Sequence, residues 1–296
     1  MTSPLETLTL AARAKLNLRL KIFGRRPGGL HELCSLMADL ALSDEMSVLP
    51  STGGPFSFEC EGALIPQQEN LAWRAAKALG ADLSGLRVRL RKRIPTQAGL
   101  GGGSADAAAM LRIVAERARE QQHAISDDAL VRFAAQLGSD VAACLFPGFK
   151  VVEGAGERVR PLTVPPPPWG IVLLQPGVRI ATSNAYRLLD ESRGVDVPGR
   201  EDDGIDALAS ALRAADFSQA CALLHNDFQT VIAGAFAPIA GAADRLRAAG
   251  AAATLLCGSG SCVAGFFETI EAAQRAHATL SLTPQEWSCA TTFADA

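Results

Sequence analysis

No apolar run in this sequence of 296 residues approaches the ~20 residues that a bilayer-spanning helix needs, and the stretch Ile171–Leu174 is only strand-sized. Met1–Leu10 lacks a basic end followed by a long apolar run, so no signal peptide is expected. Cysteine is sparse and unpatterned. The seven cysteines are odd in number and include no C-x-x-C pair, which argues against a disulfide framework and against a zinc site. Most sit among apolar neighbours, as small buried hydrophobes do, and a reducing cytoplasm is the expected location. Charge of one sign is also scarce. The formal net charge of −3 points to neither a nucleic-acid nor a membrane partner. The dense basic stretch Arg87, Arg89, Arg91, Lys92 and Arg93 alternates with Val88 and Leu90, and reads as the solvent face of a strand.

What is present suits a globular protein. Hydrophobic residues make up 48% and charged residues 20%, enough for a sizeable core. The length exceeds one comfortable core, so two domains or a body of two lobes is expected. Leu8–Leu20 alternates as a strand, with the less regular Leu36–Val48 as candidate partner. Phe56–Cys60, Leu86–Leu90, Gly148–Gly156 and Gly170–Leu174 are further strand candidates. Helical spacing marks Asn70–Leu79, an alanine-rich run from about Ser104 to Arg119, Asp127–Leu137, Ala207–Leu224, Phe236–Ala248 and Ile270–Leu280. Thr254–Cys257 and Cys262–Phe267 read as paired strands around a glycine turn, and Arg25–Gly29 reads as a loop. Strands and helices mix without a β-α-β rhythm, so the expected class is α+β. The prolines Pro165–Pro168 mark the expected boundary, giving lobes of residues 1–164 and 165–296.

The strongest chemical signal is Pro95-Thr-Gln-Ala-Gly-Leu-Gly-Gly-Gly-Ser104, which runs directly into the alanine-rich helix. Gly99, Gly101, Gly102 and Gly103 fill four of five positions, although each glycine costs about 1 kcal/mol against alanine inside a helix. Their use is to let backbone N–H groups turn toward one centre. The following helix adds its unpaired donors and positive dipole end, and together these make a seat for oligophosphate. Ser104 is the expected N-cap, or else a contact for a phosphate or a magnesium ion. The segment is not a Walker loop, because no Gly-Lys-Ser/Thr follows at the required spacing.

Three other segments are open to two readings each. Leu137-Gly-Ser-Asp140-Val puts a carboxylate at an element end, where it either accepts a hydroxyl proton or stays a solvated or capping residue. Lys15 and Asn17 share one face of the first strand, opposite the leucines, and suit either an anionic site or an exposed strand face. Cys257-Gly-Ser-Gly-Ser-Cys262 is either a turn that a ligand approaches or a plain hairpin. His31, after a glycine turn, and His225-Asn226-Asp227 gain no chemistry from their spacing.

Taken together, Ala14–Leu18, Pro95–Ser104 and Cys257–Cys262 resemble the three ordered motifs of the GHMP kinase superfamily. Gly29-Leu-His31, Glu69–Ala75, Leu137–Val141, Pro176–Val178 and Asn226-Asp227 make the chain similar to one branch of it, acting on a cytidine diphosphate-linked polyol in non-mevalonate isoprenoid biosynthesis. The resemblance covers nearly the whole chain. It implies a two-lobed GHMP-kinase-like fold with the active site in the cleft between lobes. It also implies phosphorylation of a 2-hydroxyl by ATP with Mg²⁺, and leaves the metal ligands and the oligomeric state open.

By the same resemblance, Asp140 is the catalytic base and Lys15 its partner. Pro95, Gly99, Leu100, Gly101, Gly102, Gly103 and Ser104 hold ATP, with Asn70 near the adenine. Asn17, Leu30, His31, Thr182 and Tyr186 meet the substrate: Asn17 by its phosphates, His31 on the cytosine edge and Tyr186 on the cytosine ring. The family's usual Asp-Gly-Tyr-His stands here as Gly28-Gly29-Leu30-His31, which removes one aromatic side of the stack, worth on the order of 1 kcal/mol. Its frequent Asp-Val-Pro stands as Asp140-Val-Ala142. The alternatives are a homoserine- or mevalonate-type kinase and a catalytically silent nucleotide-binding regulator. Retention of both Lys15 and Asp140 argues against the silent protein.

Overall fold

The computed structural model describes residues 8–26, 29–49, 53–194 and 204–295. Pro27 and Gly28 of the expected loop lie outside the described residues, as does residue 1–7 of the segment read for a signal peptide. The chain forms two compact units, each discontinuous in sequence. The first takes in the chain up to Ala14, Leu42–Thr96 and Gly101–Phe146. The second takes in Lys15–Ala41, Gln97–Leu100 and the chain from Pro147 onward, so the run Pro165–Pro168 falls inside it. The long strands β1 (Leu8–Arg25) and β2 (His31–Leu49) contribute residues to both units.

In the first unit, β4 (Arg87–Arg91) pairs antiparallel with Glu45–Leu49 of β2 and parallel with β3 (Ser57–Glu61). Val88 and Leu90 are buried and Arg87, Arg89 and Arg91 exposed, as the alternation predicts. Lys92 departs from that reading. It is buried just past the strand, because the carboxyl groups of Asp44 and Asp106 receive its ammonium there. Helix α1 (Leu71–Ala78) is capped by Asn70, whose side chain accepts from the Ala72 N–H at 2.9 Å. It lies against α2 (Gly102–Glu120), and the small buried residues Ala72, Ala75, Ala105 and Ala108 bring such helices close. Helix α3 (Asp127–Leu137) has Ser126 as N-cap and two acids in its first turn, and a short α4 (Val141–Cys144) follows.

In the second unit, Leu33–Ala38 of β2 pairs with β5 (Phe149–Gly154), which pairs with β6 (Arg158–Leu162). A second sheet has the order β11-β7-β10-β9, from β7 (Gly170–Gln175), β9 (Ala253–Leu256), β10 (Val263–Phe267) and β11 (Trp287–Thr292). Val263 faces Leu256 across the expected hairpin. Helices α5 (Thr182–Arg193), α8 (Gln229–Ala235), α9 (Ala237–Ala248) and α10 (Ile270–Thr279) complete a core that includes Leu20, Ile22, Leu174, Phe228, Ile232 and Phe267.

The expected single helix Ala207–Leu224 is instead two, α6 (Ile205–Arg213) and α7 (Phe217–Leu223). Ala215 takes φ 50°, and the Asp216 side chain caps α7 by accepting from the Gln219 N–H at 2.9 Å. A two-residue strand β8 (His225–Asn226) follows and pairs parallel with Arg19 and Leu20 of β1. The mixture of strands and helices is the α+β class expected.

Candidate active site

Three segments far apart in the sequence meet in the second unit. The backbone N–H of Lys15 donates to Leu100 O at 2.9 Å, and the Cys262 N–H donates to Ala98 O at 3.1 Å. The glycine-rich segment is thereby stitched to the first strand on one side and to the Cys257–Cys262 turn on the other. Gly99, at φ +78°, is forced to be glycine: a Cβ there would lie 1.8 Å from Cys257 O. Lys15 and Asn17 are each only 4% exposed, so the exposed-face reading fails. Lys15 Nζ donates to Asn17 Oδ1 at 2.7 Å, and Asn17 Nδ2 donates to Ser35 Oγ at 2.9 Å.

The Cys257–Cys262 turn covers this pair. A Cβ at Gly258 would lie 3.1 Å from Lys15 Nζ and 3.5 Å from Asn17 Oδ1. The turn is held by Asn226, whose Nδ2 donates to Leu256 O at 2.8 Å and to Gly258 O at 2.7 Å, while its Oδ1 accepts from the Phe228 N–H at 3.0 Å. Spacing alone gave Asn226 no task, because its partners are some 30 residues downstream. Thr182, the first residue of α5, places its hydroxyl 3.2 Å from that of Ser259 in the turn. Beside Asn226, Asp227 is pushed up by burial, but hydrogen bonds from His225, the Ile22 N–H and Arg193 outweigh this and bring its carboxyl to about 2.

Elsewhere in this unit His31 opens β2 rather than sitting in a loop. Its Nε2–H donates to Asp190 Oδ1 at 2.8 Å, and its ring stacks on Tyr186 with centroids 4.6 Å apart and planes 22° from parallel. Asp190 also accepts from Arg25 Nη2 at 2.5 Å. Burial raises its carboxyl, but hydrogen bonds from Arg25 and His31 outweigh burial and hold it below the ordinary range. Leu30 is 63% exposed.

The first unit holds the rest. Gly101, left-handed at φ 69°, is the N-cap of α2. The helix therefore begins two residues earlier than expected, and Ser104 stands in its first turn instead of capping it. The cause is packing. A Cβ at Gly102 would lie 2.9 Å from Ile94 Cγ2 and 3.3 Å from Lys92 Nζ, so only glycine lets the chain turn this early. The Ala105 N–H closes the first turn onto Gly101 O at 2.9 Å, and the N–H groups of Gly102, Gly103 and Ser104 precede any intrahelical acceptor. Gly103 is exposed, with Leu71 Cδ1 at 3.6 Å the nearest atom to an added Cβ, so this side is open to a ligand. Pro95 is half-buried at the entry to the segment. Asp140 is half-buried at the N-cap position of α4, but its side chain does not cap the helix. Among the described residues there is no group of three or more His, Cys, Asp or Glu suited to a metal, and no helix is long and apolar enough to cross a membrane.

A family profile described as GHMP kinases N terminal domain matches residues 70–148, and one described as GHMP kinases C terminal matches residues 208–282. A 4-diphosphocytidyl-2-C-methyl-D-erythritol kinase of Pelotomaculum thermopropionicum is 37% identical over 290 residues, spanning 97% of this chain and 98% of the relative. The chain belongs to the GHMP kinase family. A kinase of the same description from Moorella thermoacetica is also 37% identical, over 92% of this GHMP kinase and 94% of its own length. A crystal structure of 4-(cytidine 5'-diphospho)-2C-methyl-D-erythritol kinase aligns at TM-score 0.75 and 33% identity, covering 96% of this chain and 99% of that one. The N-terminal GHMP profile spans Asn70, the glycine-rich segment and Asp140, and the C-terminal one spans Asn226 and the Cys257–Cys262 turn.

Proposed function

We propose that this GHMP kinase transfers the terminal phosphoryl group of ATP to the 2-hydroxyl of 4-diphosphocytidyl-2-C-methyl-D-erythritol, a step in non-mevalonate isoprenoid precursor synthesis. The observation that carries the reading is likeness over nearly the full length to kinases of that description, in a chain that keeps Lys15, Asp140 and the glycine-rich segment. The first-turn N–H groups of Gly102, Gly103 and Ser104, with the positive end of α2, bind the nucleotide's phosphates. Mg²⁺ would be held chiefly by the nucleotide's own phosphates at the Gly102–Ser104 seat and would supply charge shielding there, a mode of binding that asks for few protein ligands. Asn70 and Pro95 serve the nucleoside.

Asp140 accepts the hydroxyl proton as the oxygen attacks phosphorus. The Lys15 ammonium, fixed by Asn17 and covered by the Gly258 turn, offsets charge developing on the transferred group. Phosphoryl transfer asks mainly for positioning and charge stabilisation, and these residues supply both. With Nε2–H given to Asp190, His31 has Nδ1 for the cytosine edge. Tyr186 supplies an aromatic face, Leu30 an apolar contact and Thr182 a hydroxyl beside Ser259.

A substrate panel tests the reading. ADP release from Mg·ATP should depend on 4-diphosphocytidyl-2-C-methyl-D-erythritol and not respond to homoserine or mevalonate. Turnover with another alcohol alone would keep the phosphoryl transfer and remove the cytidine assignment. Nucleotide binding with no turnover on any acceptor would favour a silent regulator.

A further inference from the structure

Behind the first turn of α2 lies a buried cluster that the proposed reaction does not use. Lys92 Nζ sits between two acids, donating to Asp44 Oδ2 and, at 2.6 Å, to Asp106 Oδ2. The three side chains are almost completely buried. The acids are not equivalent. Asp44 is fully engaged, since its Oδ1 also accepts from the N–H groups of Arg93 at 2.5 Å and Ile94 at 2.8 Å. Asp106 Oδ2 shares the Lys92 ammonium with Asp44 Oδ2, and Asp106 Oδ1 is buried with no hydrogen-bond partner.

Two buried carboxyl groups held against one ammonium repel each other when both are ionised and can hydrogen-bond when one carries a proton. An ionised carboxylate with an unpartnered buried oxygen is costly, whereas the carbonyl oxygen of a neutral acid tolerates that position far better. The charge count agrees. Two carboxylates around one ammonium leave a buried negative charge, and one proton removes it. Asp44 comes from β2, Lys92 from the end of β4 and Cys60 from β3; burial, and then the charge of Asp106, push the Cys60 thiol up, so it stays neutral. Burial raises the Asp106 carboxyl, Lys92 opposes the rise and Asp44 adds to it, bringing it to about 7.

We propose that Asp106, as the neutral acid, is the positioning residue that keeps the α2 phosphate seat receptive, and that loss of its proton weakens nucleotide binding. This rests on the reading of Gly102–Ser104 as that seat. Asp106 stands about one turn along the same helix, and its partner Lys92 lies against Gly102. A carboxylate there cancels part of the positive field at the helix start that the phosphates need. The Lys92 ammonium, drawn toward a second full charge, also offers less to the seat.

Two measurements on the full chain decide it. Infrared spectra should show the carbonyl band of a buried protonated carboxyl that fades as pH rises through about 7, and Asp106→Asn should lack it. By linkage, saturating Mg·ADP should move the midpoint of that band to higher pH. Calorimetry with Mg·ADP between about pH 6 and about pH 9 should show wild-type affinity falling roughly 5-fold further than that of Asp106→Asn. The ligand's own phosphate titrates alike in both proteins, so the ratio isolates Asp106. Absence of the band overturns the proposal, as does a band whose midpoint Mg·ADP leaves in place. If Asp106→Asn does not fold, the wild-type band and its shift still decide. Failure of Mg·ADP to bind at all would defeat the kinase reading itself, which the band alone does not test.

Discussion

The two glycine turns of this kinase use the same residue for opposite ends. At Gly101–Ser104 the glycines let a helix begin early and leave its first N–H groups without intrahelical acceptors, with Gly103 exposed. At Cys257–Cys262 the glycines let backbone press against backbone, and several of the polar groups are engaged within the fold. Asn226 takes the Leu256 and Gly258 carbonyls, and Ala98 O takes the Cys262 N–H. Glycine richness alone therefore does not mark a ligand seat. What marks it is a donor set left over after the fold has been satisfied. On the proposed reading the first turn binds phosphates, whereas the second holds Lys15 and Asn17 still.

That contrast can be broken by substitutions that separate activity from stability. The largest effect is expected at Asp140, which does not cap its helix. Asp140→Asn should lower kcat by about 10²- to 10⁴-fold while the melting temperature stays put, and near-normal turnover would remove Asp140 as the base. Asn226→Ala belongs to the holding side. It strands two carbonyls and one N–H, and chemical denaturation should register a loss of about 3 kcal/mol. An unchanged midpoint would show that the turn holds itself.

Next come the glycines. Gly99→Ala drives a Cβ into Cys257 O at a positive φ and should cost about 1–3 kcal/mol. Gly103→Ala, whose Cβ meets only Leu71 Cδ1 in ordinary contact at 3.6 Å, should leave stability alone and weaken Mg·ADP binding. Equal stability losses at both positions would erase the distinction drawn between the turns. The smallest effect concerns Asp227, beside Asn226. Its carboxyl, at about 2, lies below the unfolded value, so the stability it contributes is present above pH ~4 and lost as pH falls through about 2. Asp227→Asn should therefore cost about 2 kcal/mol at neutral pH, with the gap closing in acid; a gap that persists near pH ~2 would assign the loss to packing.

How much of this was legible in the sequence depended on range. Asp127–Leu137, the Thr254–Phe267 hairpin and the alternation of Arg87–Arg91 were readable because their signals are local: a cap, a turn and a period. The glycine-rich segment was readable as a turn into a helix, but the helix start at Gly102 depends on Ile94 and Lys92 packing beneath it. Lys92 looked like one more exposed base, since Asp44 lies 48 residues before it. The break at Ala215 was hidden by an uninterrupted helical pattern, because an alanine with positive φ gives no warning in the sequence. Asp190 carried no motif, and only the fold brings it to His31.

The most direct test of the account is ADP release by the purified chain with Mg·ATP, in the presence and absence of 4-diphosphocytidyl-2-C-methyl-D-erythritol. Turnover that requires this acceptor, and that Asp140→Asn lowers by about 10²- to 10⁴-fold, is the predicted result. No acceptor-dependent release, or near-normal release with Asp140→Asn, would contradict the assignment of substrate and base.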